Sequence, residues 1–297
     1  MNKNLLAILT PTYNRAELLT RVYESLKNQT NKNFVWYIID DGSVDGTSEI
    51  VNGFINEEKI KIQYYKKENG GKHTAVNLGL EKIEEEFTLI LDSDDALTLD
   101  ACQIILNDLS KLTNDFCGLG YLKANFNGQV VGKRYTKDYV EDTFINQRYN
   151  KNTWGDKAEV FRTSLLKQYP FPVFNGEKFL SESTIWCQIS GKYKMAFYNK
   201  IVYNCEYQVG GLSDGVRKTL FKNPKGASCC YKVLSGKGFS LKNKIKYTIL
   251  HLVHLFADNK TNKEIKKEVN NKFLGFVLYL PAKYIYLKRK KAFTNKK

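Results

Sequence analysis

The most constraining feature of the sequence is a fourfold alternation of short apolar runs with helix-like patterns. The apolar runs lie at residues 5–9, 34–39, 60–65 and 87–91, and helical patterns follow them at 15–29, 45–56, 72–83 and 99–112. Repeated β-α units predict an α/β fold, in which a mostly parallel sheet has helices on both faces. Ligands of such open sheets bind beyond the carboxyl ends of the strands. The polar residues that follow each strand are therefore the first candidates for a site.

The chain after these units follows a different pattern. Strand-like segments at 121–126 and 129–132 are joined by Asn127-Gly128, which is a strong hairpin signal. A helical pattern at 181–190 and a strand-like run at 195–203 come next. These segments predict mixed strands beside the parallel half of the sheet.

Charge is divided unevenly along the chain. Lys and Arg total 46 against 31 Asp and Glu, a net charge of +15. Residues 1–215 hold 25 basic and 28 acidic side chains, whereas residues 216–297 hold 21 basic and 3 acidic ones, a net of +18. The pair Gly210-Gly211 precedes the change, so we expect a boundary within residues 212–240. A basic tail of this kind suits an anionic surface, either nucleic acid or the cytoplasmic leaflet of a membrane.

Cysteine spacing and apolar run lengths exclude several classes of protein. The six cysteines show no C-x-x-C spacing, which disfavours zinc ribbons and disulfide-stapled secreted scaffolds. The run at 5–9 is too short for a signal peptide, so export is not supported. The best apolar stretches, 247–257 and 273–282, fall short of the roughly 20 residues that cross a bilayer. We expect a cytoplasmic protein that touches a membrane without spanning it.

An acidic turn after the fourth apolar run is the most informative cluster. Asp92, Asp94 and Asp95 fall within four residues, and their carboxylates repel one another unless a cation lies between them. Magnesium and manganese are typically held by one or two carboxylates together with phosphate oxygens. The alternative is an exposed turn leading to a helix capped near Thr98. The position of the turn after a strand in the β-α series favours the metal site.

Two further strand ends carry candidate ligand groups. Asp41 is suited to accept hydrogen bonds from a nucleobase or a ribose hydroxyl. Gly70 and Gly71 precede Lys72 at a helix start and resemble an anion nest, although neither G-x-x-x-x-G-K-[ST] nor G-x-G-x-x-G is present. His73 is either a cleft residue or a first-turn helix residue, and both alternatives remain open.

Four motifs together resemble those of family 2 glycosyltransferases. They are PTYNR at 11–15, DDGSVDGT at 40–47, GGKHTA at 70–75 and DSDD at 92–95. Their order and spacing are similar to that family over at least residues 5–215. The resemblance implies a GT-A fold, a nucleotide-sugar donor, a divalent cation (manganese or magnesium) and inversion at the anomeric carbon.

The resemblance also assigns roles to individual residues. It implies that the acidic turn supplies ribose and metal contacts and that the first three motifs contact the nucleotide. The implied nucleotide-binding residues are Pro11, Thr12, Tyr13, Asp41, Lys72 and Asp94, and the implied metal ligands are Asp92, Asp94 and Asp95.

An inverting enzyme also needs a carboxylate base, which the family places at the start of a helix beyond the sheet. Glu182 matches this position best, and the base must accept a proton from the attacking hydroxyl. Alternatively, Glu182 is only a favourable acid in a first helical turn. Many family members carry Glu-Asp here, whereas this chain has Glu182-Ser183. Glu177 is the fallback candidate and Asp156 a weaker one.

The basic tail carries apolar residues at helical spacing. One set comprises Ile245, Ile249, Leu252, Val253 and Phe256, and a second lies at 273–280 and 284–287, before the basic run 288–291. These residues form either core helices with a solvated Lys-rich end or a helix pair lying on the membrane. We prefer the second interpretation.

Together these features predict a catalytic domain at 1–215 and a basic, helical, membrane-associating tail at 216–297. The nucleotide-sugar half covers about 1–115 and the acceptor half about 116–215. We expect a metal-dependent inverting hexosyltransferase that moves a sugar from a UDP-sugar to a lipid-linked or growing cell-surface glycan, such as capsule. We expect it at the inner face of the cell membrane, without a nucleic-acid partner. The alternatives are transfer to polyprenyl phosphate and a catalytically silent glycan- or nucleic-acid-binding protein.

Overall fold

The first half of the chain forms the predicted β-α repeats. A computed structural model describes residues 5–206 and 215–294. The strands of this half are β1 (Leu6–Thr12), β2 (Phe34–Asp40), β3 (Ile62–Lys66), β4 (Phe87–Ile90) and the short β5 (Ala96–Leu97). The helices are α1 (Ala16–Lys27), α2 (Thr47–Asn56), α3 (Lys72–Lys82) and α4 (Ala101–Leu109). The predicted alternation is confirmed.

The second half adds four strands and two α-helices to the same sheet. They are β6 (Phe116–Ala124), β7 (Tyr139–Asp142), β8 (Lys157–Arg162), α5 (Thr163–Gln168), α6 (Ser183–Ser190) and β9 (Lys194–Asn204). A π-helix at Asn146–Asn150 follows β7. The sheet order is β3-β2-β1-β4-β8-β6-β9-β5, with β7 also paired to β9. The first four strands are parallel, whereas β8 runs antiparallel to β4 and β6, so the whole sheet is mixed as predicted.

Helices cover both faces of the sheet because alternate residues of its strands point to opposite sides. Leu6 and Ile8 of β1 face one apolar core, which includes residues of α1, α2 and α4. Ala7 and Leu9 face a second core, which includes residues of α3, α5 and α6. Because both faces are covered, every residue of β1 and β2 is buried.

The predicted strand at 129–132 is wrong. Asn127-Gly128 does form a tight turn, in which the Gly128 N–H donates to the carbonyl of Asn125 at 2.9 Å. Only one bridge follows, between Ala124 and Val130. The chain then leaves β6 because the Lys133 N–H donates to the Trp154 carbonyl at 2.8 Å.

The C-terminal region is helical and packs on the body. Its helices are α7 (Val216–Lys222), α8 (Pro224–Leu234), α9 (Leu241–Ala257), α10 (Asn262–Glu268), α11 (Lys272–Val277) and α12 (Tyr279–Thr294). Cys230, Leu234 and Tyr247 belong to the second core of the body, and the rest of α9 forms a third core with α10 and α12. None of the helices in the described parts of the chain is long and apolar enough to cross a bilayer.

The burial of α9 bears on whether the apolar residues of the tail belong to core helices or to helices lying on a membrane. Leu252, Val253 and Phe256 are buried, as expected of core helices rather than of a membrane-facing surface. Gly210-Gly211 lies outside the described residues, and the division of the chain at residue 215 stays a prediction.

Candidate functional site

A cleft of about 670 Å³ lies at the carboxyl ends of the parallel strands. It collects polar residues that are far apart in the sequence but adjacent at one sheet edge. Its lining includes all the predicted nucleotide and metal residues and the preferred base: Pro11, Thr12, Tyr13, Asp41, Lys72, Asp92, Asp94, Asp95 and Glu182.

Asp41 is buried and organises the loop that begins the α3 side of the cleft. Its Oδ1 accepts from Lys67 Nζ at 2.7 Å and from the Gly70 N–H at 2.9 Å. Its Oδ2 accepts from Asn69 Nδ2 at 2.9 Å and from the Gly71 N–H at 2.7 Å. A carboxylate offers about four acceptor positions, so these donors occupy them all. The predicted base contact of Asp41 stays a prediction, and the observed contacts give it a role in shaping the loop.

Gly71 is required where this loop meets the segment before α6. Its φ of +96° lies in the left-handed region, which favours glycine. A Cβ at this position would also collide with the carbonyl oxygen of Lys178. The donor-side loop and the segment that leads to Glu182 are therefore in direct backbone contact.

The acidic turn is neutralised by basic side chains. Asp92 Oδ1 lies 2.5 Å from Lys72 Nζ, and Asp94 Oδ2 lies 2.8 Å from Arg15 Nη1. Burial acts to raise the pKa of Asp92, but Lys72 and Lys123 outweigh it and lower the pKa. The negative charge of the turn is thus neutralised by lysine and arginine side chains of the protein itself.

Asp95 differs from its two neighbours in the turn. It is buried, and its Oδ1 accepts from the Glu206 N–H at 3.3 Å. Burial raises the pKa of Asp95 to about 7, with the charges of Asp92 and Asp94 adding to the effect. Asp95 is therefore less suited to hold a cation than the more exposed Asp92 and Asp94.

Lys72 connects the acidic turn to the predicted base. Its Nζ lies 2.9 Å from Glu182 Oε1 as well as 2.5 Å from Asp92 Oδ1. Burial opposes the charged form of Lys72, but these two carboxylates raise its pKa above the usual value. Glu182 is the N-cap residue of α6, as predicted, and its side chain is 34% exposed toward the cleft.

The fallback base Glu177 has a different position. Its Oε1 and Oε2 accept from the N–H groups of Lys225 and Gly226, each at 2.8 Å. These are the first free donors of α8, so Glu177 caps that helix. Asp156 does line the cleft, but its side chain is half exposed and lies 3.8 Å from Arg148 Nη2.

Sequence reasoning missed several charged residues that line the second half of the cleft. Burial raises the pKa of Glu159 in β8 to about 7, although Lys123 and Arg148 act to lower it. Burial lowers the pKa of Lys157 to about 8, and the adjacent charge of Arg148 adds to the effect. The available signal was the alternation of charged and apolar residues at the start of β8, Lys157-Ala158-Glu159-Val160.

Two buried polar atoms near the nucleotide side also need partners. Among the described residues, neither Thr12 Oγ1 nor His73 Nδ1 has a hydrogen-bond partner. Both residues line the cleft, and burial lowers the pKa of His73 so that its ring is neutral. Unsatisfied buried polar groups are rare in native proteins and indicate a ligand or water.

Solved structures share this fold. Staphylococcus aureus TarS 1-349 in complex with UDP-GlcNAc superposes with a TM-score of 0.67 at 19% identity, covering 97% of this chain and 83% of that one. The mannosyltransferase PcManGT from Pyrobaculum calidifontis, in complex with GDP-Man and Mn²⁺, gives 0.59 at 15% identity, covering 97% and 83%. The fold is that of GT-A glycosyltransferases.

Sequence relatives give the family. Residues 7–170 match Glycosyl transferase family 2 over more than half of the chain. The chain therefore belongs to glycosyl transferase family 2, as its motifs predicted.

Three curated relatives match parts of the chain. An uncharacterized glycosyltransferase of Rickettsia felis is 34% identical, covering 42% of this chain and 20% of that protein. The GalNAc(5)-diNAcBac-PP-undecaprenol beta-1,3-glucosyltransferase of Campylobacter jejuni is 27% identical, covering 62% and 59%. The minor teichoic acid biosynthesis protein GgaA of Bacillus subtilis is 32% identical, covering 50% and 32%. The matches thus span less than two thirds of each of these proteins.

Proposed function

We propose that this chain transfers a sugar from a nucleotide donor, a UDP-sugar, to a hydroxyl group of a lipid-linked or growing cell-surface glycan, with inversion at the anomeric carbon. The observation that carries the proposal is the ion-pair chain in one cleft that runs from Asp92 through Lys72 to Glu182. The acidic turn is suited to a diphosphate-bound cation, and Glu182 is a carboxylate suited to act as a base. Lys72 contacts both of them.

The donor half of the cleft is suited to a nucleoside diphosphate. Residues 11–13 lie at the carboxyl end of β1, and Thr12 Oγ1 is available as a buried polar atom for the ligand. The loop held by Asp41 gives the floor a fixed shape before the donor arrives. TarS, which has the same fold, was solved with UDP-GlcNAc.

The acidic turn has the chemistry for a divalent cation. No three His, Cys, Asp or Glu side chains within residues 5–206 and 215–294 are arranged as a metal site. Magnesium and manganese need only one or two carboxylates when diphosphate oxygens complete the shell, so the oxygen donors fit. Asp94 and Asp92 would hold the cation, which would stabilise the negative charge of the leaving diphosphate. Arg15 and Lys72 balance the two carboxylates in the structure described here.

Glu182 would accept the proton of the acceptor hydroxyl. The hydroxyl oxygen then forms a bond to the anomeric carbon while the bond from that carbon to the diphosphate oxygen breaks. The electron pair of the broken bond leaves with the nucleoside diphosphate, and attack from the opposite side inverts the configuration. Lys72 holds Glu182 at the cleft through an ion pair of 2.9 Å.

The proposed class of acceptor is inferred from the names of two relatives. The Campylobacter jejuni enzyme is named for an undecaprenol-linked acceptor and GgaA for teichoic acid biosynthesis. The first name specifies a lipid-linked acceptor and the second a teichoic acid product. The acceptor half of the cleft would offer a polar acceptor charged partners of both signs: Lys123, Arg148, Lys157, Asp156 and Glu159.

The test is a donor panel with the purified chain. UDP-, GDP- and CMP-sugars are each added with and without Mn²⁺, and both the unfolding temperature and nucleotide release are measured. We expect one UDP-sugar to raise the unfolding temperature and release UDP slowly, each in a Mn²⁺-dependent way, because binding stabilises the native state. A folded protein that responds to none of the donors would contradict the proposal, whereas a response to GDP- or CMP-sugars alone would correct the donor.

A further inference from the structure

The outer face of α11 and α12 exposes a continuous row of apolar side chains. Apart from one adjacent pair, its members are spaced three or four residues apart, which places them on one side of a helix. Each is at least half exposed, and Phe276 reaches 83%. This outer stripe consists of Phe273, Phe276, Val277, Leu280, Tyr284 and Leu287.

The outer stripe is not needed to pack the helices on the protein. Ala282 and Tyr286 on the opposite face of α12 are buried in the third core, against α9. Soluble proteins rarely leave contiguous apolar patches of this kind exposed unless the patch binds something. The outer stripe therefore indicates a binding partner that is not part of the described fold.

The charges beside the stripe identify the chemistry of that partner. Lys272 precedes it and residues 288–291 follow as Lys-Arg-Lys-Lys, whereas the ammonium of Lys283 lies over the rings of Phe256 and Tyr286 in the third core. Residues 216–297 hold 21 basic against 3 acidic side chains. We propose that the outer stripe inserts into the interface of an anionic phospholipid bilayer, with the flanking Lys and Arg side chains at the level of the lipid phosphates.

A second copy of the chain fits the same face poorly. Pairing two stripes would bring two sets of Lys and Arg side chains together, and α11 and α12 contain no acidic residue to offset them. The three acidic residues of the region already lie in ion pairs: Asp258 and Glu264 with Lys260, and Glu268 with Lys232. Charge complementarity thus favours an anionic surface over a basic one.

The stripe is also connected to the cleft. The ring of Phe221 in α7 stacks on Tyr286 of α12 at 6.1 Å and lies 5.4 Å from Phe293. The first residue of α7, Val216, lines the cleft. The inner face of α12 therefore contacts a helix that lines the cleft, and a bilayer bound to the outer stripe would lie on the opposite side of α12.

Vesicle sedimentation tests the surface without any sugar donor, so its result is independent of the proposed transferase activity. The full chain is mixed with vesicles of phosphatidylcholine alone and of equimolar phosphatidylcholine and phosphatidylglycerol. We expect binding to the anionic vesicles only, and we expect it to weaken with salt because surface charges are screened. Absence of binding to the anionic vesicles would overturn the proposal.

A pair of double variants separates the stripe from general effects of charge. Phe276→Glu with Leu280→Glu should weaken binding by a factor of about 100, since it removes two inserted side chains and adds two repelled charges. Leu99→Glu with Val173→Glu makes the same chemical change at two exposed apolar positions of the body and should leave binding unaltered. Circular dichroism confirms that both are folded. Equal binding by the two variants would overturn the proposal, as would stripe-dependent dimerisation without lipid binding.

Discussion

The cleft has two walls that differ in how their charges are neutralised. The proposed donor wall comprises Asp41, Lys72 and the acidic turn, and the proposed acceptor wall comprises Arg148, Lys157 and Glu159. On the donor wall, four donors surround Asp41, and Lys72 and Arg15 neutralise the acidic turn. On the acceptor wall, burial raises the pKa of Glu159 to about 7 and lowers that of Lys157 to about 8. Lys157 Nζ donates to three carbonyl oxygens at 3.3 to 3.4 Å. The donor wall is organised without a ligand, whereas the acceptor wall carries charge that a bound acceptor would stabilise.

The largest effect should come from the residue between the walls. Glu182→Gln should lower the rate of sugar transfer by about 1000-fold, because the acceptor hydroxyl loses its base. Donor binding should be retained, which a thermal shift with UDP-sugar measures. Asp156→Asn is the matched control at an exposed cleft carboxylate and should transfer within a few-fold of the wild type. Full transfer by Glu182→Gln would move the base elsewhere, with Glu159 the next candidate.

The second test addresses the acidic turn of the donor wall. Asp94→Ala should lower Mn²⁺-dependent donor hydrolysis by about 100-fold or more, since one carboxylate for the cation is lost. The fold should persist because Asp94 lies at the cleft surface with Arg15 as its ion-pair partner. The unfolding temperature without metal serves as the control. Unchanged hydrolysis would remove the metal assignment of Asp94.

The third test asks whether the donor wall is organised before the ligand binds. Asp41→Asn places a donor where the loop needs an acceptor, so the N–H groups of Gly70 and Gly71 and the Lys67 ammonium lose charged partners. We expect the free energy of unfolding without any ligand to fall by about 2 kcal/mol. Urea denaturation measures it. A variant as stable as the wild type would show that the loop is organised by other contacts.

The smallest effect should appear on the acceptor wall and should depend on pH. The folded pKa of Glu159 is about 7, above its unfolded value, so the native state binds the extra proton between about pH 4.5 and 7. Protonated Glu159 contributes to the free energy of unfolding at low pH, and this contribution is lost as the pH rises through 7. Glu159→Gln should therefore stabilise the protein by about 1 kcal/mol at pH 8 and by less at pH 5. Equal effects at the two pH values would contradict the elevated pKa.

The difference between the walls also explains what the sequence could predict. The donor wall is made of short contiguous motifs at strand ends, so residues 11–13, Asp41, Lys72 and the acidic turn could be found from β-α periodicity. The acceptor wall is assembled from distant elements. Arg148 lies in a π-helix and Glu159 inside β8, a strand whose antiparallel pairing with β4 leaves no local signal.

Competing contacts account for the other differences. Glu177 has the spacing of a base but caps α8, a contact of residues 48 and 49 positions apart that no local pattern reveals. The apolar residues of α9 match both a core helix and a membrane helix, and only tertiary packing shows that Leu252, Val253 and Phe256 are buried while Ile245 is exposed. The exposed outer stripe of the following helices matches the same pattern, so periodicity alone cannot separate the two.

The cap that Glu177 places on α8 limits how the chain can be divided in protein engineering. Glu177 lies five residues before Glu182, and Gly226 of α8 approaches so closely that a Cβ there would lie 2.7 Å from the Phe179 carbonyl oxygen. A chimera joined at the charge boundary near residue 215 would separate Glu177 from α8. The buried carboxylate of Glu177 would then lose the N–H donors of Lys225 and Gly226. An exchange of parts between relatives should therefore keep α8 with the body, together with α9, α10 and α12, which share the third core.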